Sequence, residues 1–171
     1  MATTYQLISS YTVTSGGTSS VTFSSIPQTY TNLIIQGSIK SVRNDSNDWM
    51  RININNGTTA NVSVNIIGDG NGPSAYGSGS PQEFSIEGGN SSTTNVFGNF
   101  TLLFGNYNNT SFSKTLNVET VTEEPVSVAY ANLFASSFNT TSAISSINLY
   151  PQYSSTLAQY STFYLYGLTN S

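Results

Sequence analysis

Apolar and polar residues alternate along this chain with a period of two, from one end to the other, and no heptad interrupts them. "DWMRININN" is the clearest case: Met50, Ile52 and Ile54 fall on one face, Trp49, Arg51 and Asn53 on the other. "VTFSSIPQTYTNLIIQG", Val21 to Gly37, sets two apolar segments around Pro27 without a single charge. Leu33, Ile34 and Ile35 are apolar on both faces, which predicts an inner strand. Further strands are expected at "TYQLISSYTV", "NVSVNII", "EFSI", "VFGNFTLLFGNY" (with a bulge at Gly98), "FSKTLNVETV", "ISSINLY" and "YSTFYLYGL". "VSVAYANLF" fits both periods, and its β-branched and aromatic content favours strand. Asn56-Gly57 marks a turn, and Gly68 to Ser80, "GDGNGPSAYGSGS", reads as a long Gly-rich loop. The expectation is a single all-β domain over residues 1–171: a jelly-roll-like antiparallel β-sandwich of about ten strands.

A chain of 171 residues is long enough to bury a full core. Its composition is unusual, because charged residues make up 7% of the chain, against ~25% for an average soluble domain. Hydroxyl and amide side chains take their place. The only cations are Lys40, Arg43, Arg51 and Lys114. Four dispersed positive charges do not make the clustered patch a nucleic-acid binder needs. No apolar run approaches the ~20 residues of a membrane-spanning helix, and "MATTYQLISS" lacks the features of a secretory signal. Synthesis and folding in a cytoplasm is the expectation.

Without His or Cys, thiol catalysis, the His general base and His- or Cys-ligated metals are excluded. What remains is carboxylate chemistry. A glycosidase needs two carboxyl groups across a cleft, and the acids here are Asp45, Asp48, Asp69, Glu83, Glu87, Glu119, Glu123 and Glu124. They read as solvated loop and edge charges, so no enzyme and no cofactor is expected. "RNDSND", Arg43 to Asp48, offers about half the oxygens a Ca²⁺ site requires. With Arg43 and Arg51 beside it, a turn holding local ion pairs is the preferred reading. Trp49, the single Trp, falls on the polar face of its strand, where it suits a stacked sugar or an interface. Tyr76 in the Gly-rich loop, and a ladder of Tyr160, Tyr164 and Tyr166 opposite Phe163 and Leu165, complete the candidate contact surface.

The opening "YQLISS", the block "VTFSSIPQTYTNLII", the mid-chain "NVFGNFTLLFGNYNNTSFSK" and the ending "INLYPQYSSTLAQYSTFYLYGLTN" together resemble a family of small tail-fibre-like and capsid-associated proteins of tailed phages, especially phages of cyanobacteria. The resemblance implies a β-sandwich virion protein, generally a homotrimer, with no catalytic residues to carry over. With strand pattern beginning at Tyr5 and no stalk, the expected role is capsid decoration (a cement protein). It would be bound to the major capsid protein on the outer surface of the virion. The alternative is a tail-fibre tip or carbohydrate-binding module that recognises host surface polysaccharide. Closed association is also expected on physical grounds. With 4 Lys and Arg and 5 Pro in the chain, strand edges are poorly defended against pairing.

Overall fold

The computed structural model describes residues 4–45, 47–68, 73–78, 83–87, 95–123, 129–153 and 155–169. Twelve strands account for most of them: β1 (Thr4–Thr12), β2 (Val21–Phe23), β3 (Asn32–Ile39), β4 (Asn47–Ile54), β5 (Thr58–Gly68), β6 (Pro73–Ser78), β7 (Glu83–Glu87), β8 (Gly98–Gly105), β9 (Lys114–Glu123), β10 (Ala129–Phe138), β11 (Ile147–Pro151) and β12 (Thr162–Thr169). Every pairing between them is antiparallel.

The pairs nest. β5 lies against β6, β4 against β7, β3 against β8, β2 against β11 and β1 against β12. The chain is one long hairpin, closed at the β5–β6 tip and wound over on itself, with β9 and β10 added between β8 and β11. This winding is that of a jelly roll. It yields a larger sheet, β1-β12-β3-β8-β9-β10-β5-β6, packed on a smaller one, β2-β11-β4-β7. β5 runs in the larger sheet and pairs with β4 at Thr58 and Thr59, so one hydrogen-bonded path joins both layers.

The two-residue period decides what lies between the sheets. Leu33 and Ile35 of β3, Phe100, Leu102 and Phe104 of β8, and Phe163 and Leu165 of β12 face inward from the larger sheet. Met50, Ile52 and Ile54 of β4 and Ile147 and Leu149 of β11 meet them from the smaller one. At ~1.5–3 kcal/mol for each large side chain withdrawn from water, this layer is the main stabilising term. Gly37 lies between Phe163 and Phe100 in the register, and without a Cβ it lets the two rings approach to 5.5 Å across it.

Three expectations are corrected. The Gly-rich segment is not wholly loop: Gly68 ends β5, and Pro73–Ser78 form β6, hydrogen-bonded back along β5. Pro at the first residue of an edge strand removes no ladder bond that is needed. Gly98 is not a bulge but the first residue of β8, paired with Ile39. The register shifts occur instead between Leu7 and Ser9 and between Ser137 and Phe138. Tyr160 is not part of the β12 ladder. The strand starts at Thr162, and Tyr160 sits in the preceding turn at φ 72°, its N–H donated to the Val13 carbonyl.

Candidate functional site

At one end of the sandwich the β2–β3, β8–β9 and β10–β11 connections are tightly tied together. The buried Tyr107 hydroxyl donates to the Pro27 carbonyl and accepts the Tyr30 N–H at 3.4 Å. Burial pushes this phenol above its ordinary pKa. The Lys114 ammonium, also buried, donates to the carbonyls of Asn109, Phe112 and Thr141, the last two at 3.0 and 3.2 Å. Desolvation lowers its pKa. Asn108 donates to the Tyr30 carbonyl at 3.0 Å, and Asn55 caps Ser145 at 2.8 Å. These polar groups fasten loops to one another and present no reacting centre.

At the opposite end, Leu157 bridges both Thr18 and Ser41 and so locks three connections together. Arg43, Asn44 and Asp45 of the "RNDSND" segment lie here with local ion pairs; Ser46 lies outside the described residues, and Asn47 and Asp48 already belong to β4. Arg43 pairs with Asp45 at 3.0 Å and stacks 3.9 Å from the centre of the Tyr153 ring. Asp48 is fully buried and accepts the Trp49 N–H at 2.7 Å and the Ser155 hydroxyl at 2.5 Å. Among the described residues no three acidic side chains gather as a metal site would require.

The candidate contact residues do not form one site. Trp49 is half-buried on the outer face of the smaller sheet. Tyr164 and Tyr166 lie on the outer face of the larger sheet, the opposite side of the sandwich. Tyr160 projects from the turn, 68% exposed. Tyr76 lies on β6 opposite Asn65, and its side chain is outside what is described.

Two different surfaces result. On the larger sheet, cross-strand rows can be followed residue by residue. One reads Leu7–Tyr166–Ile34–Leu103, and the next reads Ser10–Tyr164–Gln36–Thr101–Glu119–Leu133–Ile66. Tyr5 joins the first row edge-to-face with Tyr166, ring centres 6.2 Å apart. This makes an apolar area over β1, β12, β3 and β8. A second area of Val121, Leu133 and Ile66, all exposed, lies over β9, β10 and β5. The uncharged polar residues Gln36 and Thr101 lie between them, bonded at 3.4 Å. β1 itself is open on both faces: only Ile8 is even partly covered.

The smaller sheet has another character. Met50, Ile52, Ile147 and Leu149 point into the core, which turns Trp49, Arg51, Asn53, Asn148 and Tyr150 outward. Tyr150 lies opposite Arg51, and Asn148 opposite Asn53 on one side and Thr22 on the other. The side chains brace each other: Asn148 donates to the Thr22 hydroxyl at 2.7 Å, and Arg51 Nε to Glu83 at 2.8 Å. The alternation in "INLYP" carries Tyr150 and Asn148 as legibly as "DWMRININN" carries Trp49, but nothing in sequence spacing says that β4 and β11 are neighbours.

A shallow groove of ≈ 180 Å³ on the larger sheet, lined by Asn99, Thr101, Glu119 and Val121, is smaller than the ~300 Å³ lower bound of ordinary ligand pockets. Comparison with family models, with curated proteins and with solved structures finds no match to this chain.

Proposed function

We propose that this chain is a non-enzymatic virion surface protein that decorates the outer capsid as a closed homotrimer, assembled in the host cytoplasm. The observation that carries the reading is the outer face of the larger sheet, with its two exposed apolar areas, the second of them bordered by Glu119. A lone domain has no use for Tyr5, at 56% exposure, and Leu7, at 49%, side by side on an open edge strand. In the proposed assembly the area around Tyr5, Leu7, Leu103, Tyr164 and Tyr166 meets a sister copy. The area around Val121, Leu133 and Ile66 meets the major capsid protein. The threefold order comes from the resemblance to phage virion proteins; the exposed faces argue for closure alone.

The mechanism is burial of this surface across capsomer joints. A stable contact needs about 1,600 Å² in total. Many equivalent sites on a lattice turn modest single affinities into a firm hold. Copy number decides the matter: purified particles should carry hundreds of copies of the chain. A handful per particle, confined to the tail, would overturn the decoration role and favour a fibre tip.

A further inference from the structure

The outer face of the smaller sheet differs from that of the larger one in a way that identifies a different kind of ligand. Its projecting groups are two aromatic rings, Trp49 and Tyr150, set among the amides of Asn53 and Asn148, the Thr22 hydroxyl and the Arg51 guanidinium. No aliphatic side chain stands among them. The only outward charge on these central positions is Arg51, and Glu83 neutralises it through a salt bridge. Among the described residues these central positions therefore carry no net charge and are aromatic and polar. A protein partner calls for an apolar centre, which the larger sheet supplies and this one lacks. A phosphate or nucleic-acid ligand calls for unpaired cations.

We propose that this face is a binding platform for a neutral polysaccharide, with Trp49 and Tyr150 as stacking surfaces and Asn53, Asn148 and Arg51 as the hydrogen-bonding groups. The C–H faces of a sugar ring are apolar and its rim is ringed with hydroxyls. An aromatic ring beside amides matches both features at once. Tyr150 stands across from Arg51, with Trp49 on one diagonal and Asn53, which its hydroxyl reaches, on the other. The backbones of diagonal neighbours lie ~7–8 Å apart, which sets the two rings apart as separate stacking surfaces for one chain. The brace from Asn148 to Thr22 spends one amide N–H and leaves the Asn148 carbonyl for a sugar hydroxyl. The Tyr150 hydroxyl lies 3.5 Å from Asn53 Oδ1, on the acceptor side of that amide, which leaves its two N–H donors for the ligand. All five side chains are half-buried against their neighbours, so binding has little rotamer freedom left to remove. This gives the recognition role expected of Trp49 a location and a ligand class.

The single Trp makes the test direct, because all tryptophan fluorescence comes from Trp49. The full-length chain is titrated with a soluble neutral glucan, a mannan and a galactan, with polygalacturonate as the charged comparison. A saturable shift in emission with at least one neutral polymer is expected. Tyr150→Ala and Asn148→Ala should each weaken it about tenfold, while Tyr164→Ala, on the other sheet, leaves it unchanged. Circular dichroism of each variant separates lost binding from lost fold. No response to any neutral polymer, a response to polygalacturonate alone, or a neutral-polymer response that survives Tyr150→Ala in a folded protein would each overturn the platform. None of these outcomes depends on particle copy number, so the decoration role stands or falls separately.

Discussion

Single residues do two kinds of work here, filling space and fastening loops. Tyr107 does the second. Its buried hydroxyl holds the β2–β3 connection to the β8–β9 connection through Pro27 and Tyr30. Tyr107→Phe should lower stability by about 1–2 kcal/mol, the cost of losing the hydrogen bonds of a buried hydroxyl. The substitution should also change the alkaline limb. Because burial raises the Tyr107 pKa above the ordinary phenol value, the unfolded chain ionises first. Its stabilisation is then complete below ~10 and is lost as pH rises through the folded value. Urea unfolding between pH 9 and 11 should show a shallower fall in Tyr107→Phe than in the native chain; parallel curves would mean the phenol does not titrate differently on folding. Lys114 pulls the other way, since its pKa is lowered and alkaline pH relieves its desolvation. Comparison with the native chain keeps the two apart. Space filling is sharpest at Gly37, where an added Cβ would sit 1.9 Å from the Thr162 carbonyl oxygen and 2.8 Å from the Phe100 ring. The first of these is backbone and cannot swing away. Gly37→Ala should cost about 3 kcal/mol, read as a lowered urea midpoint, and an unmoved midpoint would show that β12 and β3 can part at that point.

At the scale of the strand, β1 is the exception to the pattern that made the fold legible. Its sequence alternates, yet only Ile8 packs against the core and even that only partly, because the strand lies at the edge of the larger sheet. The register shift around Ile8 kinks this edge, one of the ways natural sheets discourage runaway pairing. The edge is therefore better defended than its lack of charge implies, and its side chains rather than its backbone are the available contact. Tyr5→Lys combined with Leu7→Lys should give a folded chain that scatters light as an 18.3 kDa monomer at micromolar concentration, where the native chain scatters as a trimer. A native monomer would reject closed association, and a native dimer would keep closure and reject the threefold order. The same strand shows where sequence reading runs out. Period-two patterning placed β2, β3, β4, β8, β11 and β12 because each has a buried face to display. It missed β6, because the sequence of Pro73–Ser78 carries no apolar alternation. It extended the Tyr ladder to Tyr160 because periodicity does not register a turn at positive φ. The grouping of Trp49 with Tyr164 and Tyr166 failed for a different reason. Which strands share a sheet is fixed by long-range pairing, and local pattern is silent on that.

At the scale of the whole molecule, the nested winding relates distance along the chain to position in the fold. The β5–β6 tip closes the shortest loop, and each pair outward closes a longer one, at slowly growing entropic cost. The outermost rung joins Thr4 to Thr169. That rung governs how the protein meets mechanical load. Tension applied between residues 4 and 169 acts on two neighbours at the same end of an antiparallel pair. The ladder between β1 and β12 then opens like a zip, one hydrogen bond at a time, and the resisting force is that of a single bond. Tension applied between residues 4 and 162 acts at opposite ends of the same two strands and loads every rung together. In single-molecule pulling the first attachment should release β1 at a markedly lower force than the second, and equal forces would mean that the resistance lies elsewhere in the sandwich. A protein wound this way withstands strain that shears its outermost strands past one another far better than strain drawn through its two ends together.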